Sequence, residues 1–162
     1  MIRAASVADI PAILAIWNPM IRDALITFNS VEKTADDLRL LLVQKAHEGH
    51  AFLVAERDGV AVGLATYGQF RSGLGYRHTV EHSIMPGDAA RGQGLGRKLM
   101  QGVEQHAHGR GAHSIFAGVS AANPAGEGFH AAVGFHTVSR LAQVGWKFGK
   151  WWDLVLMQKF LT

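Results

Sequence analysis

Apolar residues recur at helical spacing in four stretches of the chain and in strand-like runs in seven others. Residues 2–5 read as a short first strand. Ser6 is then a candidate N-cap, because Val7, Ile10, Leu14, Trp17 and Ile21 follow three or four positions apart. The pattern breaks over residues 24–31. It resumes at Thr34-Ala35-Asp36-Asp37, a helix start whose apolar face is Leu38, Leu41 and Leu42. Two β-rich runs, 51–56 and 60–67, flank Arg57-Asp58-Gly59, which predicts a hairpin. A further strand over 78–85 is closed by Pro86-Gly87-Asp88. Leu95, Leu99, Val103 and Ala107 stripe a third helix, 114–119 is a strand, and 124–133 is a short helix entered at Asn123. Residues 135–144 and 152–161 make a last pair of strands. The predicted order is β α α β β β α β α β β, without repeat or linker, which points to one α/β (α+β) domain over residues 1–162 with a mixed sheet.

Composition narrows the chemistry. At 48% hydrophobic and 18% charged, a chain of 162 residues can bury a proper core and is not a disordered segment. Cysteine is absent, so disulfides, thiolate catalysis and Cys-based metal sites are excluded. The nine histidines show no metal-ligand spacing: His106 and His108, two apart on a helix, face different ways, and no metal is expected. Neither a signal-peptide core nor a membrane-length run is visible, so the expectation is a cytoplasmic protein without a membrane partner. A formal charge of +3 suits an anionic ligand without demanding nucleic acid.

The densest chemical signal is Arg91-Gly92-Gln93-Gly94-Leu95-Gly96, between a strand and a helix. Glycines there let an anion approach the backbone, and the free N–H groups at the helix start favour negative charge. A P-loop is excluded because Arg97-Lys98 is followed by Leu99 rather than a hydroxyl. A dinucleotide fingerprint fails because position 97 is Arg and no acidic residue ends a following strand. The spacing Arg91-x-x-Gly94-x-Gly96 resembles the acyl-coenzyme A signature of the GNAT N-acetyltransferases. Two further blocks, Tyr76-Arg77-His78-Thr79-Val80-Glu81-His82-Ser83 and residues 143–153, are similar to the phosphinothricin and methionine sulfone/sulfoximine branch of that family.

The resemblance implies a GNAT fold, with about seven strands, four flanking helices and two splayed central strands. It implies acetyl-CoA as co-substrate, with its pyrophosphate on residues 92–97 and its pantetheine arm on the backbone of Ile84, Met85 and Pro86. Relatives usually carry Val or Tyr at the Pro86 position; proline has no N–H to give. Asn123 matches a second coenzyme contact and is equally a plain N-cap. Arg97 and Lys98 could reach phosphates or form a solvated helix face.

Acetyl transfer needs a neutral amine, hence a base, and Glu81 is the residue the resemblance marks. On a strand it shares a face with Thr79 and Ser83, and desolvation should raise its pKa. The alternative is a structural ion pair with Arg71 or Arg77. His130 stands where many relatives have a tyrosine that reprotonates the leaving thiolate, and it could be that acid or a pocket wall. Arg71, Ser72 and Gly73 match a loop contacting an amino-acid acceptor, where Arg71 could hold the acceptor's carboxylate by paired hydrogen bonds, with Glu81, His82 and Ser83 as the opposite wall. Phe28 could line the pocket or plug the core. The aromatic and lysine-rich segment 146–152 could stack on nucleic acid, but a hairpin against the core or a partner subunit is favoured, and the resemblance implies a homodimer without a nucleic-acid partner. The expected reaction is acetylation of the α-amine of a small amino acid or analogue. Rival acceptors are a protein N-terminus, a polyamine or an antibiotic amine, and a non-catalytic acyl-CoA sensor is the rival outside enzymology.

Overall fold

In the computed structural model, which describes residues 1–162, the chain runs β1 (Ile2–Ala4), α1 (Ile10–Asp23), α2 (Ala35–Glu48), β2 (Phe52–Arg57), β3 (Val60–Gln69), β4 (Thr79–Pro86), α3 (Leu95–Gly109), β5 (Ser114–Ser120), α4 (Pro124–Ala132), β6 (His136–Lys147) and β7 (Lys150–Phe160). The predicted order of elements holds. One sheet forms in the order β1-β2-β3-β4-β5-β7-β6, with β4 and β5 parallel and every other neighbouring pair antiparallel. No helix is long and apolar enough to cross a membrane.

Local chemistry explains most boundaries. Thr34 caps α2 reciprocally: the Asp37 N–H donates to Thr34 Oγ1 at 3.1 Å, and the Thr34 N–H donates to Asp37 Oδ2 at 2.8 Å. Asp58 and Gly59 both take positive φ (52° and 79°), as a two-residue hairpin turn requires. The stripe of α1 differs from the expected one. Residues 7–9 wind as a 3-10 turn at three residues per turn, so Val7 falls off the face; Ile13 joins Ile10, Trp17 and Ile21 in the core, with Leu14 partly buried against them.

The sheet has a core on each face. Leu99, Val103 and Ala107 of α3 pack on Ala65, Val80, Ile115 and Ala117, with Phe129 of α4 alongside. On the other face, Ile13, Trp17 and Ile21 of α1 and Leu38 of α2 cover Val54, Leu64 and Met85. Between these layers the central strands part. Thr79 to His82 pair with Ser114 to Ala117, and there the pairing stops, although β4 continues to Pro86 and β5 to Ser120. Each remains bonded to its outer neighbour to the end, β4 to β3 and β5 to β7, so the opening is held from both sides.

Gly87 terminates this arrangement. Its N–H donates to Val62 O at 2.9 Å, and a Cβ at 87 would sit 2.6 Å from that same oxygen. Gly87→Ala is therefore expected to lower stability by about 2 kcal/mol, the scale of overpacking against backbone. Urea denaturation reads this, and a midpoint equal to wild type would contradict it.

The last hairpin is longer than the sequence pattern suggested. β6 and β7 extend to a tight turn at Phe148 (φ 54°) and Gly149 (φ 70°), taking in residues 145–147 and 150–151 that were not assigned to strands. Gly145 and Lys147 point inward while Trp146 and Trp151 pair outside with ring centroids 4.7 Å apart. A bulge between Leu141 and Gly145 is pinned by Asp153, which accepts the Gln143 N–H at 2.9 Å and pairs with Arg140 at 3.0 Å.

Candidate active site

Hydrogen-bond alternation along β4 decides what faces the opening. The Phe70 N–H donates to Thr79 O, and the Gly87 N–H donates to Val62 O. Between these two fixed points, the odd residues of β4 turn their backbone groups toward β3 and the even ones toward β5. Past His82, the even residues have no β5 partner. Ile84 thus offers a free N–H and C=O to the opening, and Pro86 offers a carbonyl alone. Met85 does not belong to this edge. Its backbone pairs with Leu64 in β3 and its side chain is buried in the α1 core, which corrects the expectation that it contacts the pantetheine arm.

Beyond the open end of β4 lies the glycine turn. Gly92 and Gly94 take left-handed φ (74° and 69°), with no heavy atom within 4 Å of where a Cβ would stand. Gly94 caps α3 without a side-chain bond, and the N–H groups of Leu95, Gly96 and Arg97 have no protein partner. Leu95 is a buried anchor for this end of the helix. Gly96 serves packing instead: a Cβ there would lie 3.4 Å from the Phe129 ring. Arg91 is tied to Asp88 at 3.2 Å, Gln93 reaches Ala89 O at 3.3 Å, and Arg97 is exposed without an ion pair. Three open N–H groups at a helix start and an unpaired cation make a fit for a diphosphate.

Glu81 stands on the last rungs before the strands part, in register with Phe116. Its carboxylate leans over β5, with Oε2 3.4 Å from where a Cβ of Gly118 would be. It makes no ion pair with Arg71, Arg77 or any other residue, so the structural alternative is not realised. The group is open to solvent along one side, yet the surrounding protein desolvates it enough to push its pKa up. Ser83 is exposed on the same face.

His82 faces the opposite way, and this corrects its assignment to the acceptor wall. It is buried beneath α4, stacked on His130 with ring centroids 5.0 Å apart and Nε2 3.1 Å from His130 Nε2. The His130 Nδ1–H donates to Gly126 O at 2.7 Å, since a carbonyl can only accept. Neutral His130 then has a bare Nε2, His82 donates to it, and His82 Nδ1 is left buried without a partner. Burial pushes both pKa values down and keeps both rings neutral. With both nitrogens engaged, His130 holds no free proton for a leaving group, so the geometry favours the wall over the acid. Above this pair, Asn123 caps α4 by accepting the Gly126 N–H at 3.1 Å, while its Nδ2 has no protein acceptor. Gly126 leaves room for that amide, since a Cβ there would stand 2.5 Å from Asn123 Nδ2 and would make the side chain shift.

The acceptor side is built from two loops. Gln69 Nε2 donates to Arg71 O at 2.6 Å and Gly73 O at 2.7 Å, bracing the loop that carries Arg71, Ser72 and Gly73. Phe28 lays its ring on Gly145, where a Cβ would come within 2.5 Å, and also lines a concavity of about 540 Å³ against α2; it is plug and wall together. A second concavity of about 540 Å³ is lined by Glu48, His50, Gly68, Gln69, Arg71, Ser72 and Gly73. Glu81 lines neither; it opens onto the strip of sheet between the loops. Gln69 and Lys147 are missing from the sequence reading. The first is an ordinary strand-end amide, and the second stands in a basic-aromatic stretch expected to form a hairpin against the core or a partner subunit, with no site role given to the lysine. Lys147 is only 2% exposed, and its ammonium donates to Met20 O (3.3 Å), Ala24 O (2.5 Å) and Thr27 O (2.8 Å), holding the Phe28 loop to the end of α1.

A sheet parted between parallel strands, with a desolvated carboxylate where they begin to part and an anion cradle beyond the open end of β4, suits an enzyme that seats a long phosphate-bearing acyl carrier. Residues 17–135 match the acetyltransferase (GNAT) family, and the chain belongs to it. It is 38% identical over 158 residues to the L-methionine sulfoximine/L-methionine sulfone acetyltransferase of Pseudomonas paraeruginosa, covering 97% of this chain and 92% of that one. Among solved structures it is similar to a ribosomal-protein-alanine N-acetyltransferase from Brucella melitensis, with TM-score 0.95, 40% identity and 99% of both chains covered. A phosphinothricin acetyltransferase from Sinorhizobium meliloti in complex with acetyl-CoA superposes with TM-score 0.93 at 27% identity, covering 99% of this chain and 88% of that one. No group of three or more His, Cys, Asp or Glu side chains is placed to hold a metal ion.

Proposed function

We propose that this protein transfers the acetyl group of acetyl-CoA to the α-amine of a small amino acid or analogue of the methionine sulfone, methionine sulfoximine or phosphinothricin kind. The observation that carries the reading is the juxtaposition, at one point of the sheet, of Glu81 with the free N–H of Ile84. Ile84 N–H and C=O offer strand-like bonds to a pantetheine amide, and the turn at Gly92 and Gly94 with Arg97 suits its diphosphate. Acetyl-CoA, when bound, supplies an acetyl thioester whose C–S bond breaks as the C–N bond forms. Glu81 accepts a proton from the acceptor ammonium, directly or through water, and frees the lone pair. Attack is direct, with no cysteine present to carry the acyl group.

A homodimer is part of this reading. β6 is the outer strand of the sheet and exposes Val138, Val144 and Trp146, with Phe148 and Trp151 at the tip of its hairpin. An apolar edge of that kind is suited to cover by a second copy.

The test is release of coenzyme A thiol from acetyl-CoA with separate amines: methionine sulfone, methionine sulfoximine, phosphinothricin, ordinary amino acids, a polyamine and an alanine-initiated peptide. Turnover is expected with the amino-acid analogues. Turnover with the peptide alone would move the acceptor to a protein N-terminus, the reading the Brucella melitensis neighbour's name favours.

A further inference from the structure

Lys45 carries a charge that nothing described so far uses. It lies in the last turn of α2, on the same face of the sheet as Glu81, and its Nζ donates to Tyr67 O at 2.7 Å. No carboxylate lies within 4 Å of it. The neighbouring acid, Glu48, is occupied by Gln44 at 3.0 Å and His50 at 3.1 Å. An ammonium has three donors, so two remain open. Lys45 is half-buried, and that burial pushes its pKa down. Glu48 acts on it only at a distance, and a desolvated cation without an anion in contact is costly to keep.

What lies beside it is a bare strip of backbone. Lys45 Nζ stands 3.1 Å from where a Cβ at Gly68 would be, so any side chain there would press on it. Gly68 is in register with Glu81 across β3 and β4. Hydrogen-bonded partners of this kind have Cα atoms about 5.5 Å apart and direct their side chains to one face. Glu81 leans away from Gly68 toward Gly118, a second glycine on that face. An ammonium and a carboxylate thus bracket an uncovered floor. An α-amino acid has the reverse pair, a carboxylate and an ammonium one carbon apart.

We propose that Lys45 binds the α-carboxylate of the acceptor and thereby presents its amine to Glu81, so that the site selects free α-amino acids over carboxamides and peptide N-termini. The inference rests on the amino-acid reading above. Arg71, exposed on its loop and without an ion pair, is left to the rim and the acceptor's side chain.

The experiment compares kcat and KM for methionine sulfone and its carboxamide, at saturating acetyl-CoA, in wild type, Lys45→Met and Lys45→Arg. Lys45→Met is expected to raise KM for the acid on the order of 10- to 100-fold, the scale of a charge-assisted hydrogen bond, with KM for the carboxamide nearly unchanged. Lys45→Arg should keep most of the preference for the acid. Gly68→Ala, which displaces the ammonium without removing it, should also narrow the acid-to-carboxamide ratio, and it keeps the question open to test if Lys45→Met fails to fold. Equal effects on both compounds, or an unchanged KM for the acid, would mean that Lys45 only supports α2 and would overturn the assignment. A wild type that acetylates neither compound would defeat the amino-acid reading itself; one that acetylates both without preference would defeat Lys45 alone.

Discussion

Glu81→Gln is expected to lower kcat/KM by about 10²- to 10⁴-fold, the usual contribution of a positioned base, with the dissociation constant for coenzyme A unchanged. Glutamine keeps the shape and one acceptor oxygen but cannot take a proton. Because desolvation raises the Glu81 pKa, the active, ionised form appears at higher pH than it would for a solvated glutamate. Wild-type kcat/KM should therefore rise with pH along a limb displaced upward from that of a solvated glutamate, and Glu81→Gln should lack the limb. Stability runs the other way. A folded pKa above the unfolded value means the native state holds its proton more tightly, a contribution fully present below the unfolded pKa and lost as pH rises through the folded one. At neutral pH the ionised Glu81 is a burden on the fold. The Gln variant should then be at least as resistant to urea at pH 7.5, with the difference closing below pH of about 4. A variant that keeps its activity, or loses coenzyme affinity in step with it, would remove Glu81 from the chemistry.

Lys147→Met should be the most damaging single change outside the hydrophobic core, at about 3 kcal/mol. The methionine fills the channel, but it leaves the part-buried carbonyls of Ala24 and Thr27 without the ammonium and Met20 O with the Ala24 N–H alone. Met20 and Ala24 belong to the end of α1, where a cation also meets the negative end of the helix dipole. Losing that cap should free residues 24–31 and with them the Phe28 ring on Gly145. Urea denaturation gives the stability. Steady-state kinetics should show KM for the amine rising while coenzyme affinity holds, because the glycine turn lies on the far side of the opening. Lys147→Arg, with donors in a different geometry, should recover part of both. Unchanged stability together with unchanged KM would mean the three bonds are incidental.

What was legible in the sequence is local. The turn at residues 92–94, the Asp58-Gly59 hairpin and the Thr34 cap are written in neighbouring residues whose backbone requirements are specific, and they formed where expected. Position on one strand was legible too. The rule that put Thr79, Glu81 and Ser83 on one face also excludes His82 from it, so placing His82 on the acceptor wall set motif similarity above strand geometry. Positions defined by distant elements were not readable. Gly145 and Lys147 point inward because Phe28 and the end of α1 meet them, more than a hundred residues earlier in the chain. Lys45 looks like any lysine on an amphipathic helix until α2 is laid across Gly68. The Met85 assignment failed for a related reason, since which backbone edge a residue presents depends on the register with β3.

Pro86 has a consequence for how deeply a ligand can sit. Along the open edge of β4 the even positions are 82, 84 and 86; the first is still paired with β5, and the last has no hydrogen to donate. A strand-like arm laid on this rail finds a single notch, at Ile84. Sliding two residues toward the glycine turn would bring its carbonyl against a proline ring, and sliding two the other way would meet a closed sheet. In the proposed seating the edge acts as a length gauge: the distance from that notch to the turn is fixed by the protein, and a carrier's reactive end and phosphates must be spaced to match if both are to be engaged at once.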